Sequence, residues 1–524
     1  MNQTRENLPR TSGAIRPVAV IDIGTTSIRM EIAEINEANG VRTLEKLSQA
    51  VSIGKDTFSR GMISKPIIED CVRVLKSYRQ LLREYQISSP EMVRVVATSA
   101  VREAANRLAF IDRVFIATGM QVEPLDEADV IRLTYLAMEP YLKAPSLAAA
   151  RTLVVEVGGG STELLVVRSG NVLFSRTYRL GSLRLREMLE SFRATATKQR
   201  QFLETQIRKT VEQMREEVTN DGPLELVAMG GDVRFVASQL VPDWDPHTLA
   251  RLPVAALEQF TRKMLTLTED RIIQRYHLSV PDAETLGPAL LSYCELAKAY
   301  GLDSILVTTG TLRDGLLKEM ALKDAWTEEF SAQIIRSALD LGRKFEFDEP
   351  HARHVAELCK VLFQALKSEH QLDPRFQVIL YLAALLHEVG LFVSSRSFHK
   401  HSMYLIMHSE LFGLNQRDVL LVALVARYHR RASPKPEHEG FAMLDRDGRV
   451  AVSKLAALLR VAVALDDSRS QRIHEITCEL ERDRLVISVP EVEDLSLEQL
   501  ALRQSGSLFE ETYGMPVMLR KTYS

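Results

Sequence analysis

"LVVEVGGGSTELLVV", residues 153–167, sets three consecutive glycines and two hydroxyl residues between two apolar, strand-like runs. Glycine loses more conformational freedom on ordering than any other residue, so a strand interrupted by three of them implies close approach to the backbone. "VAVIDIGTTSIRMEIAEI" (18–35) repeats the layout: apolar strand, carboxylate, one apolar residue, glycine, hydroxyl residues, alternating strand. The carboxylates are Asp22 and Glu156, so the unit recurs after 134 residues. A single copy reads equally well as a hairpin turn. Two copies at domain-sized spacing imply a duplicated fold with two such loops facing across a cleft.

The composition of the loops points to their ligand. The backbone N–H groups of Gly158, Gly159 and Gly160, with the hydroxyls of Ser161 and Thr162, form a concavity suited to phosphate oxygens. Gly24, Thr25, Thr26 and Ser27 form the corresponding loop in the first copy. Asp22, Glu156 and Glu163 would repel a bare phosphate, and Mg²⁺ resolves the conflict because it binds a few carboxylates together with substrate phosphates. Three further strand ends converge on the same cleft. "VATSAVREA" places Arg102 just past a strand, where a guanidinium can pair with phosphate. "AMGGDVRFVA" (Gly230, Gly231) and "TTGTLRDGLL" (Gly310, Arg313) each run from strand through glycine into helix, the usual position of ligands in α/β folds.

With 524 residues and 46% hydrophobic content the chain has ample material for several cores. A net charge of −3, from 66 basic and 69 acidic residues, gives no global attraction to nucleic acid or anionic membrane, so a polyanion must be handled locally. Cys71, Cys294, Cys359 and Cys478 are widely spaced without a CxxC, which fits buried thiols in a reducing cytoplasm. The start reads as a disordered tail with no signal-peptide core, and "VILYLAALL" falls short of the ~20 residues of a membrane span. "PVAVIDIG", "MVRVVATSA", "RTLVVEVG", "LELVAMGG" and "DSILVTTG" are strand-like and alternate with helical patterns, an α/β architecture. From about residue 322 the pattern is helical, ending in a short mixed segment that contains "RLVISVP".

"IDIGTTSIRM", "ATSAVREAAN", "EVGGGSTELLVV", "RLGSLRL", "AMGGDVRFVA" and "TTGTLRDGLL" together resemble the exopolyphosphatase / guanosine pentaphosphate phosphohydrolase family, a branch of the actin-like ATPase superfamily. The resemblance implies a duplicated, ribonuclease H-like two-lobed fold that removes terminal phosphate from polyphosphate or guanosine pentaphosphate, with Mg²⁺ in the cleft. With the polar tail taken as 1–16, it implies lobes over 17–135 and 136–322 with the last helix returning to the first lobe, a helical domain over 323–472 and a small α+β domain over 473–524. The chain departs from the family at Thr25-Thr26-Ser27 (usually Ser-Asn-Ser), at Glu156 (usually Asp) and at Asp232 (usually Thr). "PLDEADVIRLTYLAM" also puts Val130 where the family has the glutamate that positions water, which leaves Glu127, one helical turn earlier, or Asp129 as general base.

Nine of the twelve histidines fall between His351 and His438, and "HARHVAEL", "LLHEVG", "RYHRR" and "VALDDS" resemble the HD-type phosphohydrolase fold. That resemblance implies metal ligation by His354, His387, Glu388 and Asp466, with Glu388 replacing the usual aspartate. Alternatively the helices are a scaffold whose Arg396, Lys400, Arg427, Arg430 and Arg431 help bind a polyanion. The reading is a Mg²⁺-dependent phosphoanhydride hydrolase, exopolyphosphatase before guanosine pentaphosphatase, with Arg102 and Glu163 beside the base. A non-catalytic sensor and a kinase or ATPase on the same fold are the rival classes. A cytoplasmic protein without membrane or specific nucleic-acid partner is expected, and a homodimer is compatible with these features.

Overall fold

The computed structural model describes residues 15–36, 40–191, 195–218, 222–322, 326–490, 492 and 494–522. The expected tail over 1–16 lies, apart from its last two residues, outside the described residues. The chain forms two compact units, 1–324 and 325–524.

The first unit holds two sheets. Strands β1 (Arg16–Ile23), β2 (Ser27–Ile35), β3 (Val41–Ala50), β4 (Val93–Ala97) and β5 (Val122–Pro124) pair in the order β3-β2-β1-β4-β5. Strands β6 (Arg151–Val157), β7 (Thr162–Arg168), β8 (Asn171–Tyr178), β9 (Leu224–Met229), β10 (Ala250–Pro253) and β11 (Ser304–Val307) pair in the order β10-β11-β9-β6-β7-β8. Each sheet has an antiparallel three-strand meander followed by parallel strands, and the second adds β10 as an antiparallel edge. The duplication seen in the two glycine loops therefore extends to whole sheets.

β1 is apolar along nearly its whole length because both faces are covered. Ala19, Ile21 and Ile23 join a core with Cys71, Val72 and Leu75 of the helix Lys65–Glu84. Val18 and Val20 face the opposite way and pack with Leu133, Leu136, Leu316 and Met320. The latter core joins the helix Glu127–Leu142 to Leu312–Ala321, which follows the last strand of the second sheet and returns to the first. The second sheet packs Leu153, Val155 and Val157 against Ile207, Val211, Leu286 and Leu290.

The second unit is built on the helices Glu328–Lys344, Glu349–Ala365, Arg375–Leu386, Phe398–Met407, Gln416–Arg427 and Arg446–Leu465. A sheet of β12 (Thr477–Glu481), β13 (Arg484–Pro490) and β14 (Val517–Thr522) follows, with two short helices before β14. Arg375–Phe392 is apolar enough by length and composition to cross a membrane, yet more than half of it is buried within this unit. All four cysteines are free thiols, and Cys71, Cys294 and Cys359 are buried.

Candidate active site

The two glycine loops match in their hydrogen bonding. Gly24 N–H donates to the Ser27 carbonyl at 3.0 Å, and Gly158 N–H to the Ser161 carbonyl at 2.9 Å. A Cβ built on either glycine would stand 3.2 Å from the corresponding carbonyl oxygen. The register pairs Asp22 with Arg29 across β1 and β2, and Glu156 with Glu163 across β6 and β7. Arg29 is therefore the counterpart of Glu163 in the duplication. All four line one cavity of about 350 Å³, together with Gly24–Thr26, Gly158–Ser161, Thr98, Ser99, Arg102, Val130, Gly230–Asp232 and Arg234.

The cavity concentrates like charge. Burial and the neighbouring Glu156 push the Glu163 carboxyl up to about 7, against the hydrogen bond from Ser161 and the attraction of Arg102. Burial also raises Glu156, with Arg234 opposing and Asp22 reinforcing the rise. Burial lowers the Arg234 guanidinium, which donates to the Gly310 carbonyl at 3.1 Å. Asp22 Oδ1 is buried without a hydrogen-bond partner, and its Oδ2 lies 3.4 Å from Arg313 Nη1. This donor set fits Mg²⁺. The carboxylates do not close into a cage: among the described residues the metal-ligand group with all donor atoms within 4.8 Å lies elsewhere, at His351, His387 and Glu388. Mg²⁺ requires no such cage, since it keeps waters and shares substrate oxygens.

The glycine run has a second tenant besides any ligand. A Cβ on Gly159 would overlap Thr25 Oγ1, and one on Gly160 would overlap Ser99 Oγ and stand 2.6 Å from Phe58. A Cβ on Gly181 would likewise overlap the backbone of Gly160. Arg184 spans the same junction, 2.6 Å from Glu103 and over the Phe58 ring at 4.2 Å. The facing loop of the other lobe accounts for the missing side chains of Gly159 and Gly160.

Several expected ligands have other duties. The Thr162 hydroxyl donates to the Leu180 carbonyl, Ser27 Oγ is buried without a partner, and neither lines the cavity. Gly310 contributes its carbonyl to Arg234, and Arg313 sits 3.4 Å from Asp22 and 3.5 Å from Glu31 as counter-ion to two buried carboxylates. Asp129 does not face the cavity. It closes a capping box with Asp126 at the start of the helix Glu127–Leu142 and pairs with Arg132 at 3.1 Å. Glu127, in the first helical turn, is 58% exposed and 3.9 Å from Arg102, outside the cavity lining. Val130 is the residue this helix presents to the cavity. Arg29 and Arg234 were missed as site residues, and Asp232 was noted only as a departure from the family pattern. The 134-residue offset that relates Asp22 to Glu156 also relates Arg29 to Glu163, and could have found the first.

In the second unit His351, and not His354, joins His387 and Glu388. His351 Nδ1 is hydrogen-bonded to Asp466 at 2.7 Å, so Asp466 orients an imidazole, while His354 lies three residues further on and meets the His474 ring edge-on. His387 is fully buried, its Nδ1 bound to the Ala384 carbonyl at 2.7 Å and its Nε2 without a partner. Arg469 holds both Glu388 oxygens at 2.7 Å. Two imidazoles, each with the other nitrogen anchored, and a carboxylate suit a first-row divalent metal.

Residues 31–324 match the Ppx/GppA phosphatase family, and residues 335–506 match Ppx/GppA phosphatase, domain III. The guanosine-5'-triphosphate,3'-diphosphate pyrophosphatase of Photobacterium profundum is 21% identical over 96% of this chain and 98% of its own. That of Vibrio vulnificus is 23% identical over 90% and 91%. The crystal structure of an exopolyphosphatase from Cytophaga hutchinsonii is 20% identical, covers 59% of this chain and 98% of that one, and superimposes with a TM-score of 0.53, a likeness of fold. With its duplicated, two-lobed actin-like core and the family match over most of its length, this chain belongs to the Ppx/GppA phosphatase family.

Proposed function

We propose that the protein is a Mg²⁺-dependent phosphoanhydride hydrolase that releases the terminal phosphate of guanosine pentaphosphate. The observation that carries this reading is the cavity itself, where glycine-loop amides, three arginines and a carboxyl near neutrality converge. The guanosine substrate takes precedence over polyphosphate, which the sequence alone put first, because two relatives matched along nearly their whole length bear that name.

In this reading the Gly159–Ser161 amides and the Thr25 loop hold the terminal phosphate, and Arg29, Arg102 and Arg234 offset its charge. Asp22 and Glu156 would hold Mg²⁺, which supplies further neutralisation of phosphate charge. Glu163 accepts a proton from water as the water oxygen bonds to the terminal phosphorus, while the bond from that phosphorus to the bridging oxygen breaks and its electron pair stays on the guanosine tetraphosphate, the terminal phosphate being released as orthophosphate. Glu163 takes this role because Val130 has no proton acceptor and Asp129 is committed to Arg132.

Val130 also supports a second reading, a sensor that binds the same ligand without turnover, since loss of a general base typically costs ~10²–10⁴ in rate. Orthophosphate release from guanosine pentaphosphate and from long polyphosphate, each with Mg²⁺ and without an acceptor, separates the readings. Release from the first is expected. No release from either, with tight nucleotide binding, would establish the sensor.

A further inference from the structure

Part of the cavity wall differs chemically from the glycine loops. It is made by Asp232, Phe235, Leu278, Asp282, Thr285 and Leu286, from the helix that follows β9, the helix Val280–Ala299 and the chain just before it. Phosphate gains nothing from two carboxylates and three apolar side chains. Asp282 is already engaged, accepting from Ser279 Oγ at 2.6 Å at the start of its helix. Asp232 has one long contact, from the Thr285 hydroxyl at 3.5 Å, and forms no ion pair among the described residues. Burial and Asp282 push its carboxyl up to about 7, against the attraction of Arg29 and Arg234 and the Thr285 hydrogen bond.

The ligand that fits is flat, largely apolar at its faces, and rich in N–H donors along one edge. Among nucleobases guanine presents two adjacent donors, N1–H and the N2 amino group, spaced for the two oxygens of one carboxylate. Adenine and cytosine place an acceptor beside their amino group, which a second carboxylate oxygen would repel. A cavity of about 350 Å³ is of the size that takes small ligands. We infer that this part of the cavity is a guanine subsite, in which Asp232 accepts from N1–H and N2–H while Phe235, Leu278 and Leu286 cover the ring. The assignment rests on reading the cavity as the phosphohydrolase site, and it makes Asp232 the residue that separates a guanosine substrate from an inorganic chain.

The test compares kcat/KM of wild type and Asp232→Asn for guanosine pentaphosphate, its inosine analogue lacking the N2 amino group, and tripolyphosphate. Wild type should prefer the guanosine to the inosine form by about 10-fold or more, as expected for a buried hydrogen-bond pair. Asp232→Asn should bring that preference close to 1, and should lose at least ~10-fold more on the guanosine substrate than on tripolyphosphate. An unchanged guanosine preference, or equal loss on all three substrates, overturns the subsite. If wild type hydrolyses none of them, the phosphohydrolase reading fails alone, and calorimetric binding decides the subsite. Affinity for guanosine pentaphosphate weakened ~10-fold in Asp232→Asn upholds it, and unaltered affinity refutes it. Thermal unfolding of the variant confirms that it is folded.

Discussion

Val130 is the residue its helix presents to the cavity wall, and the acids beside it in sequence serve the start of that helix instead. The base is therefore sought across the cleft. Glu163→Gln should lower kcat by ~10²–10⁴ with little change in KM, because only the transition state needs the proton acceptor. In the wild type, activity should rise with pH as the Glu163 carboxyl, which burial holds above the usual carboxylate range, loses its proton. Stability should move the opposite way. Glu163 and Asp232 titrate near 7 in the folded protein but near the ordinary carboxylate value when unfolded, so between those values the native state binds more protons and stability falls as pH rises. A thermal midpoint that falls between pH 5 and pH 8 in metal-free buffer, and falls less in Glu163→Gln, bears this out. Asp129→Asn should cost about 1 kcal/mol of stability through the capping box while leaving turnover at low temperature intact. Asp22, Glu156 and Glu163 were legible in sequence as cleft residues because each sits beside a strand end, and Arg102 because it closes the one-turn helix that follows β4. The fates of Asp129 and Arg313 were not, because capping and charge compensation depend on partners such as Arg132 and Glu31.

The paired glycine loops are the elements that bring the two lobes together, and their close packing makes a reciprocal prediction. Gly159→Ala places a methyl group against Thr25, an overpacking that typically costs ~1–3 kcal/mol, so the loops must separate and nucleotide affinity should fall. Thr25→Gly, which removes the obstructing side chain, should restore part of that affinity in the double variant. Calorimetric titration of both single variants and the double variant checks it, and simple additivity of the two losses would count against the contact. The strands that carry the site, β1, β4, β6, β9 and β11, were readable as apolar runs because helices cover both faces of their sheets. β5 and β10 were not, being three- and four-residue edge strands that end in proline. β3 was missed for a related reason: it is almost wholly exposed and polar.

At the scale of the whole molecule, the alternating first half and the helical second half anticipated the two compact units, whose division falls within the stretch "ALKDAWTEEF". The histidine-rich second unit was recognisable, but its grouping was not. His351 and His354 lie one helical turn apart, and only the fold decides which meets His387. The His351–His387–Glu388 group predicts that Zn²⁺ raises the thermal midpoint of the metal-free chain, and that His387→Gln removes the shift whereas His354→Gln keeps it. Bound metal by elemental analysis should follow the same order. The central claim concerns the first unit, and its most direct measurement is orthophosphate release from guanosine pentaphosphate by the purified full chain, with and without Mg²⁺. Mg²⁺-dependent release that Glu163→Gln abolishes is the predicted result. Equal release by wild type and Glu163→Gln, or release unaffected by removing Mg²⁺, would contradict the account.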